Sequence, residues 1–371
     1  MTYYGDTLDT GSEIPATEAW RYRDYVIRSF NENKPVNRFF QEQVAGDLLP
    51  ARDQRERNEL IVATGYLAIG PWSIVLADKP QLQMDTIDQQ LELIGRGILG
   101  LTLGCSRCHD HKFDPILLQD YYGMAGILKS TRTLHGKHKP DGVFSDVNKV
   151  SLVETVEERQ QREKKLQNYE QEIAALQKVL APLKESAALL KDQEAKNKEK
   201  DKDKEKSNHT ESDPEKDKDN EKRKELDAKI NSLEMRIGLL EFNKPLPPFA
   251  HAVQDEEKPE DCRIAIRGNA HQLGKEVPRG FVQLASFEEP RSIWRGSGRL
   301  ELAKWLTDDR QPLTPRVYVN RVWQQLFGAG IVRSSDNFGI RGDLPSHPEL
   351  LDYLASEFIK QGWSTKKLVR R

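Results

Sequence analysis

Apolar residues recur three and four apart through residues 16–135, which predicts a mostly helical N-terminal stretch. Trp20, Tyr22, Tyr25, Val26 and Phe30 fit a first helix, with Thr17 as candidate N-cap and Lys34-Pro35 closing the segment. A second helix fits Asn37 to Ala45, burying Phe39, Phe40 and Val44 and ending at Gly46. A third fits Gln54 to Leu67, and a longer one runs from about Met84 to Leu103. From Glu154 the spacing tightens into an a/d seam: Leu166, Tyr169, Ile173, Leu176, Leu180, Leu183, Ala187 and Leu190. Pro182 inside this run predicts a kink or break. Between Asp192 and Glu225 Ala195 is the one apolar side chain, so the segment cannot bury enough surface to offset its ordering entropy and is expected to be disordered. The seam resumes with Leu226, Ile230, Leu233, Ile237 and Leu240.

After Lys244-Pro245-Leu246-Pro247-Pro248 the pattern changes again. Cys262 to Gly268 alternates as a strand does, and Phe281 to Leu284 reads as a second strand. Helices follow at Gly298 to Thr307 and Pro315 to Phe327, the latter stopped by Gly328-Ala329-Gly330. Ser346-His347-Pro348-Glu349 reads as a capping box opening a helix from Glu349 to Lys360. The fold class expected is mainly α. It comprises a helical N-terminal domain (1–150), an antiparallel coiled-coil hairpin (151–244) with a disordered charged tip (192–225), and an α+β C-terminal domain (245–371).

The 371 residues, 37% of them apolar, suffice for real cores and exclude a wholly disordered chain. Lys+Arg number 57 against 59 Asp+Glu, so there is no global basic field for nucleic acid or an anionic membrane. The longest apolar run, Leu91 to Leu103, is interrupted by Arg96 and falls short of the ~20 residues a membrane helix needs. Met1 to Thr10 carries no export-signal pattern, and the ends, notably Lys366-Lys367-Leu368-Val369-Arg370-Arg371, read as those of a fragment.

Three cysteines are too few for a disulfide scaffold, but Cys105-Ser106-Arg107-Cys108-His109 is a literal C-x-x-C-H. In that spacing two thiols form thioethers to the vinyl groups of haem c and the histidine ligates its iron. The competing uses are a Cys105–Cys108 disulfide, a zinc or other divalent metal site, or two inert thiols. His111 lies too close to His109 to reach the opposite face of a haem, and the alternative non-haem ligand set is Cys105, Cys108, His109, His111 and Asp114, with Asp110 in reach. Asp110 and Asp114 are equally at home as turn or cap residues before Pro115. Met84, Met124, His135 and His138 are the candidates for a sixth iron ligand. His347 reads as a helix-cap residue, and Arg316 and Arg321 as partners of Asp336 or Asp343 rather than a sugar pocket with Asn320 and Trp323. His251, His271 and Cys262 have no partner in sequence. There is no phosphate-cradling glycine loop, nucleophile elbow or distinctive carboxylate pair, so no reaction is assigned and the enzyme question stays open.

Leu99-Gly100-Leu101-Thr102-Leu103-Gly104, the C-x-x-C-H, then Asp110-His111-Lys112-Phe113-Asp114-Pro115-Ile116 and Asp120-Tyr121-Tyr122 resemble the C-terminal part of the planctomycete cytochrome-like domain. Trp20 to Ile27 and Gln43 to Pro50 resemble earlier blocks of it. Gly274 to Phe281, Ser297 to Leu306, Arg316 to Trp323, Asp336 to Gly339 and Ser346 to Leu350 resemble the N-terminal part of its companion domain of unknown function. The resemblance implies a large exported protein working near polysaccharide breakdown, with haem c at Cys105, Cys108 and His109 serving electron transfer or redox sensing with a partner protein. The alternative is a scaffold or binding protein of that machinery, with a structural metal or disulfide at the cysteines and a protein partner on the coiled coil.

Overall fold

The computed structural model describes residues 5, 7, 15–74, 76–135, 146–202, 214–285, 293 and 295–371. The protein is mainly helical, with small two-stranded antiparallel sheets. Helices α1 (Ala19–Asn31) and α2 (Val36–Ala45) lie close to their predicted positions, although the N-cap of α1 is Glu18, with no side-chain cap bond, so Thr17 does not play that role. The third predicted helix is two, α3 (Gln54–Ala63) and α4 (Gly65–Ala68), divided at Thr64. Helix α5 (Lys79–Ile94) begins earlier than its apolar pattern suggested, because Asp78 caps it by accepting from the Gln81 N–H and Pro80 favours the first turn. It runs into a π-helical turn, Gly95–Leu99, then a 3-10 turn, Gly104–Arg107, and α6 (Leu118–Lys129).

Short strands β1 (Thr131–Arg132), β2 (Leu134–His135), β3 (Asp146–Val147) and β4 (Lys149–Ser151) precede the long helices α7 (Val156–Lys202) and α8 (Pro214–Phe242). Strands β5 (Phe249–His251), β6 (Gln254–Asp255), β7 (Cys262–Ala265) and β8 (Leu273–Val277) follow, then helices α9 (Arg299–Leu306), α10 (Thr314–Phe327), α11 (Pro348–Lys360) and α12 (Thr365–Val369). Strand β7 lies where alternation placed it, but its partner is β8. The predicted strand Phe281 to Leu284 is instead irregular chain ending in a 3-10 turn at Gln283–Ala285. Its buried residues, Val282 and Ala285, are three apart, which a strand's two-residue period cannot satisfy. The box at Ser346 does not form either: His347 is the N-cap of α11 without a side-chain bond, and the Ser346 hydroxyl turns to the Ile331 carbonyl at 3.3 Å.

Pairing of β4 with β5, Val150 opposite Ala250, closes the chain across everything between them, and β1 pairs with β6. Residues 1–153 and 249–371 thus form one compact unit, and 154–248 a second. The division expected near residue 150 between an N-terminal and a C-terminal domain is therefore an insertion point in one fold. One core draws Tyr22, Leu91, Tyr121 and Tyr122 from one half of the sequence and Cys262, Val282, Leu302 and Leu306 from the other. Interdigitated apolar side chains of this kind hold both halves by the same burial. A smaller cluster around Val36, Val319, Leu351, Phe358 and Trp363 joins α2 to α10 and α11.

In the second unit α7 and α8 pack through the predicted seam, burying Ile173, Leu180 and Ala187 with Ile230 and Ile237. Lys184 pairs with Glu234 at 2.6 Å and Arg236 with Glu172 at 2.9 Å. Helix α7 continues through Pro182, whose exposed position lets water take the hydrogen bond it forfeits. Of the segment expected to be disordered, 192–202 and 214–225 are helical, since Lys, Glu and Ala are good helix formers and extend turns already packed. Residues 203–213 of that expectation lie outside the described residues.

Candidate functional site

The cysteine motif sits on the 3-10 turn after α5, and several neighbours hold the backbone of that turn and its flanks. Gly100 is left-handed (φ 65°), and its carbonyl accepts from the Phe338 N–H at 2.7 Å. Glu92 of α5 accepts from the Gly104 N–H and also pairs with Arg96. Ser106 is fully buried, and the Tyr122 hydroxyl donates to the Arg107 carbonyl at 2.8 Å and lies 3.2 Å from that of Ala265. Arg107 reaches Asp85 at 2.9 Å and the Gly268 carbonyl at 3.3 Å. Gly268 (φ 75°) lies so near Cys108 that a Cβ there would come within 2.8 Å of its Sγ. This scaffold leaves Cys105, Cys108 and His109 exposed, with both cysteines as free thiols.

The two histidines of the motif are used differently. His109 Nδ1 lies 2.6 Å from the Asp110 carbonyl. A carbonyl can only accept, so Nδ1 carries the proton and Nε2 is left as a lone-pair donor. His111 is nearly buried, accepts at Nδ1 from the Asp114 N–H at 2.8 Å, and therefore presents Nε2–H to Thr102 Oγ1 at 3.2 Å. Both its nitrogens are consumed.

The carboxylates of the motif are structural. Asp110 accepts from the Leu118 N–H at 2.7 Å, capping the start of α6. Asp114 is buried and accepts from the Ile340 N–H at 2.6 Å. Of the five residues in the alternative non-haem set, the structure therefore turns Cys105, Cys108 and His109 outward, while His111 and Asp114 are engaged within the fold. Among the described residues no three or more His, Cys, Asp and Glu side chains gather as a metal cage. Met84 and Met124 are buried in the main core, His135 lies in β2, and His138 is outside the described residues.

Other sequence candidates fall elsewhere. Cys262 is buried, which pushes its thiol up to about 11. His271 does have a partner, with Nε2 2.7 Å from Asp78 Oδ2; this hydrogen bond holds the Asp78 carboxyl below its ordinary value. Arg316 and Arg321 do not pair with Asp336 or Asp343. Arg316 binds Asp352 at 2.7 Å, and Arg321 donates to the carbonyls of Gly97 and Arg96 in the π-helical turn, while Asp336 faces Arg96 at 3.5 Å. Asn320 is buried against residue 332, donating to the Val332 carbonyl and accepting from its N–H, both at 2.8 Å. A polar cleft of about 460 Å³ between Glu32 and Leu60 contains neither cysteine nor histidine, and Lys34 and Arg38 there pair with Glu42. Sequence reasoning missed Arg299, which is fully buried and binds Asp47 at 2.7 and 2.8 Å and Asp255 at 2.7 Å. The blocks at Gln43–Pro50 and Ser297–Leu306 each hold one partner of that bridge, but nothing in sequence links them.

Residues 1–133 match PSCyt2, described as a protein of unknown function (DUF1549), and residues 298–371 match PSD1, described likewise (DUF1553). The cysteine motif falls in the first matched region, and Arg299, Arg321 and Ile340 in the second. No curated protein and no solved structure matches the chain.

Proposed function

We propose that Cys105, Cys108 and His109 are an attachment site for haem c, used in electron transfer or redox sensing. The observation that supports this reading is the state of His109: an exposed ring next to two free exposed thiols, its Nδ1–H held by a backbone carbonyl and its Nε2 open. A backbone carbonyl fixing the far nitrogen in this way is how proteins orient a ligating histidine. The chain's residues suit the group, since the Cys105 and Cys108 thiols would hold it through thioether bonds and His109 Nε2 would ligate its iron. Haem held there would supply one-electron chemistry; the protein contributes two anchoring thiols, one ligating nitrogen and the turn that carries them.

An exported setting near polysaccharide breakdown belongs to the same reading and rests on the resemblance of the motif blocks. We also read α7 and α8 as an antiparallel coiled-coil hairpin that engages a protein partner, supported by the seam and the ion pairs beside it. The site reading is tested by producing the protein in a host with c-type maturation. A covalent haem stain and a reduced c-type α-band are expected, and both should vanish when Cys105 and Cys108 are replaced by serine. A colourless protein carrying stoichiometric zinc that the same double variant loses would replace haem with a three-ligand metal site. The wild type lacking both haem and metal would end the reading.

A further inference from the structure

We infer that the glycine turn at residues 337–342, in the region matching PSD1, is a positioning element of the cysteine site. It holds the segment that carries His109, and ligand binding at Cys105, Cys108 and His109 depends on it. The inference rests on the reading of those three residues as a ligand site.

The turn grips the motif loop from both sides. Before the motif, the Phe338 N–H donates to the Gly100 carbonyl at 2.7 Å, and Gly100 packs so tightly on Val317 and Phe338 that a Cβ would meet each within 3 Å. After the motif, the Ile340 N–H donates to Asp114 Oδ1 at 2.6 Å, and the Arg341 guanidinium stands 5.0 Å from the centre of the Phe113 ring. Gly339 lies directly on the Asp114 carboxylate, and a Cβ there would overlap it. The Asn337 side chain accepts from the Gly339 N–H at 3.0 Å, and the Gly342 N–H bonds back to the Gly339 carbonyl at 2.8 Å, so the turn is internally tied.

Asp114 passes that constraint toward His109. Its N–H fixes His111 Nδ1, and the His111 N–H reaches the Ile116 carbonyl at 2.9 Å, folding 111–116 into a closed loop. His109 is separated from this loop by Asp110, whose carbonyl holds the His109 ring and whose carboxylate caps α6. The exposed ligands are thus mounted on a loop whose far anchor lies more than 200 residues away in sequence.

Gly339→Ala in the full chain tests this, with Asp114→Ala removing the acceptor and Asp114→Asn retaining it. The probe is cobalt(II), whose thiolate charge-transfer absorption reports ligation by Cys105 and Cys108. Loss of an outer partner of a metal ligand lowers affinity on the order of 10- to 100-fold. Gly339→Ala and Asp114→Ala are therefore expected to bind cobalt at least about tenfold more weakly, and Asp114→Asn close to wild type. A double variant of Gly339→Ala with His109→Ala is expected to bind no worse than His109→Ala alone, because both act through one ligand. Hydrogen exchange is followed in parallel: peptides covering 104–116 should lose protection in Gly339→Ala while those covering 19–31 keep it, which separates a local effect from unfolding. Wild-type affinity in a folded Gly339→Ala, or additive losses in the double variant, overturns the inference. If the wild type binds no cobalt, dependence of metal binding on the turn is overturned, while the haem stain still decides the ligand-site reading and exchange in 104–116 still decides whether the turn holds the loop.

Discussion

Replacing Arg299 by methionine keeps a long side chain at the start of α9 and removes the guanidinium that binds Asp47 and Asp255. Arg299 is fully buried, and the two carboxylates are only 11% and 21% exposed, so neither can recover full hydration when the cation goes. Removing one partner of a buried pair costs roughly 3–5 kcal/mol, because the surviving charge stays desolvated. Two carboxylates share this cation and their losses are not additive, so the same ~3–5 kcal/mol is the expected net loss. The compact unit can report it alone, since all six tryptophans lie outside 154–248. Urea unfolding followed by tryptophan fluorescence at pH 7 should show the loss as a lower midpoint, and Arg299→Lys should fall between, since an ammonium cannot reproduce the forked contact.

The pH dependence sharpens the test. Burial pushes the Asp255 carboxyl up, but Arg299 and the hydrogen bonds from Ser297 outweigh it and hold it below its ordinary value. A carboxyl depressed in the folded state contributes stability that is fully present above its unfolded pKa, about 3.9, and is lost as pH falls through the lower folded value. The methionine variant lacks that contribution, so the gap between it and the wild type should narrow on acidification from pH 7 to pH 3. A gap under ~1 kcal/mol at pH 7, the range of an exposed pair, or one unchanged down to pH 3, would refute the reasoning.

Three further outcomes are expected. Gly46→Ala places a Cβ on the Leu60 carbonyl, backbone that cannot swing aside, and should cost about 1–3 kcal/mol in the same urea assay. In native protein at pH 8 two thiols should react quickly with a thiol-specific dye, and Cys262, buried and pushed up to about 11, only on unfolding. Leu180→Asp combined with Ile237→Asp should abolish much of the ellipticity at 222 nm, at a cost of at least ~3 kcal/mol for two buried side chains, and leave the tryptophan unfolding midpoint unchanged.

Long helices were legible in the sequence because one apolar period governs many residues, so α1, α2 and α10 lie within two residues of their expected starts. The strands were not, because β1 to β6 are two or three residues long and several owe their existence to partners a hundred positions away, as Val150 does to Ala250. That same pairing hid the single fold. A change in composition at residue 154 looks like a domain boundary whether the chain leaves for good or returns, and only the register of β4 on β5 distinguishes the two. At the site, spacing alone picked out Cys105, Cys108 and His109, but it could not show that His111, unlike His109, has both ring nitrogens engaged within the fold. That distinction lies in which ring nitrogen meets a carbonyl and which meets an N–H.

The arginines show what kind of information the sequence withholds. A buried arginine is expected to seek a carboxylate, and Asp336 lies near Arg321 in the chain, yet Asp336 faces Arg96 instead. The reason lies just past α5, where the π-helical turn Gly95–Leu99 presents the carbonyls of Arg96 and Gly97 to Arg321 of α10. A guanidinium offers five donors in a plane and can satisfy several carbonyls at once, whereas a carboxylate partner would have left those acceptors unpaired and buried. Burial pulls the Arg321 guanidinium below its ordinary arginine pKa, but it stays charged at any physiological pH. Arg321 therefore fixes the backbone just ahead of Gly100, as Ile340 fixes Asp114 behind the cysteines, and Arg321→Leu should loosen the turn from the front as Gly339→Ala does from the rear. Hydrogen exchange in 95–108 is the measurement: protection unchanged in Arg321→Leu would mean that the π-helical turn holds its shape without the guanidinium, the Phe338 bond to Gly100 and the Glu92 bond to Gly104 sufficing ahead of the cysteines.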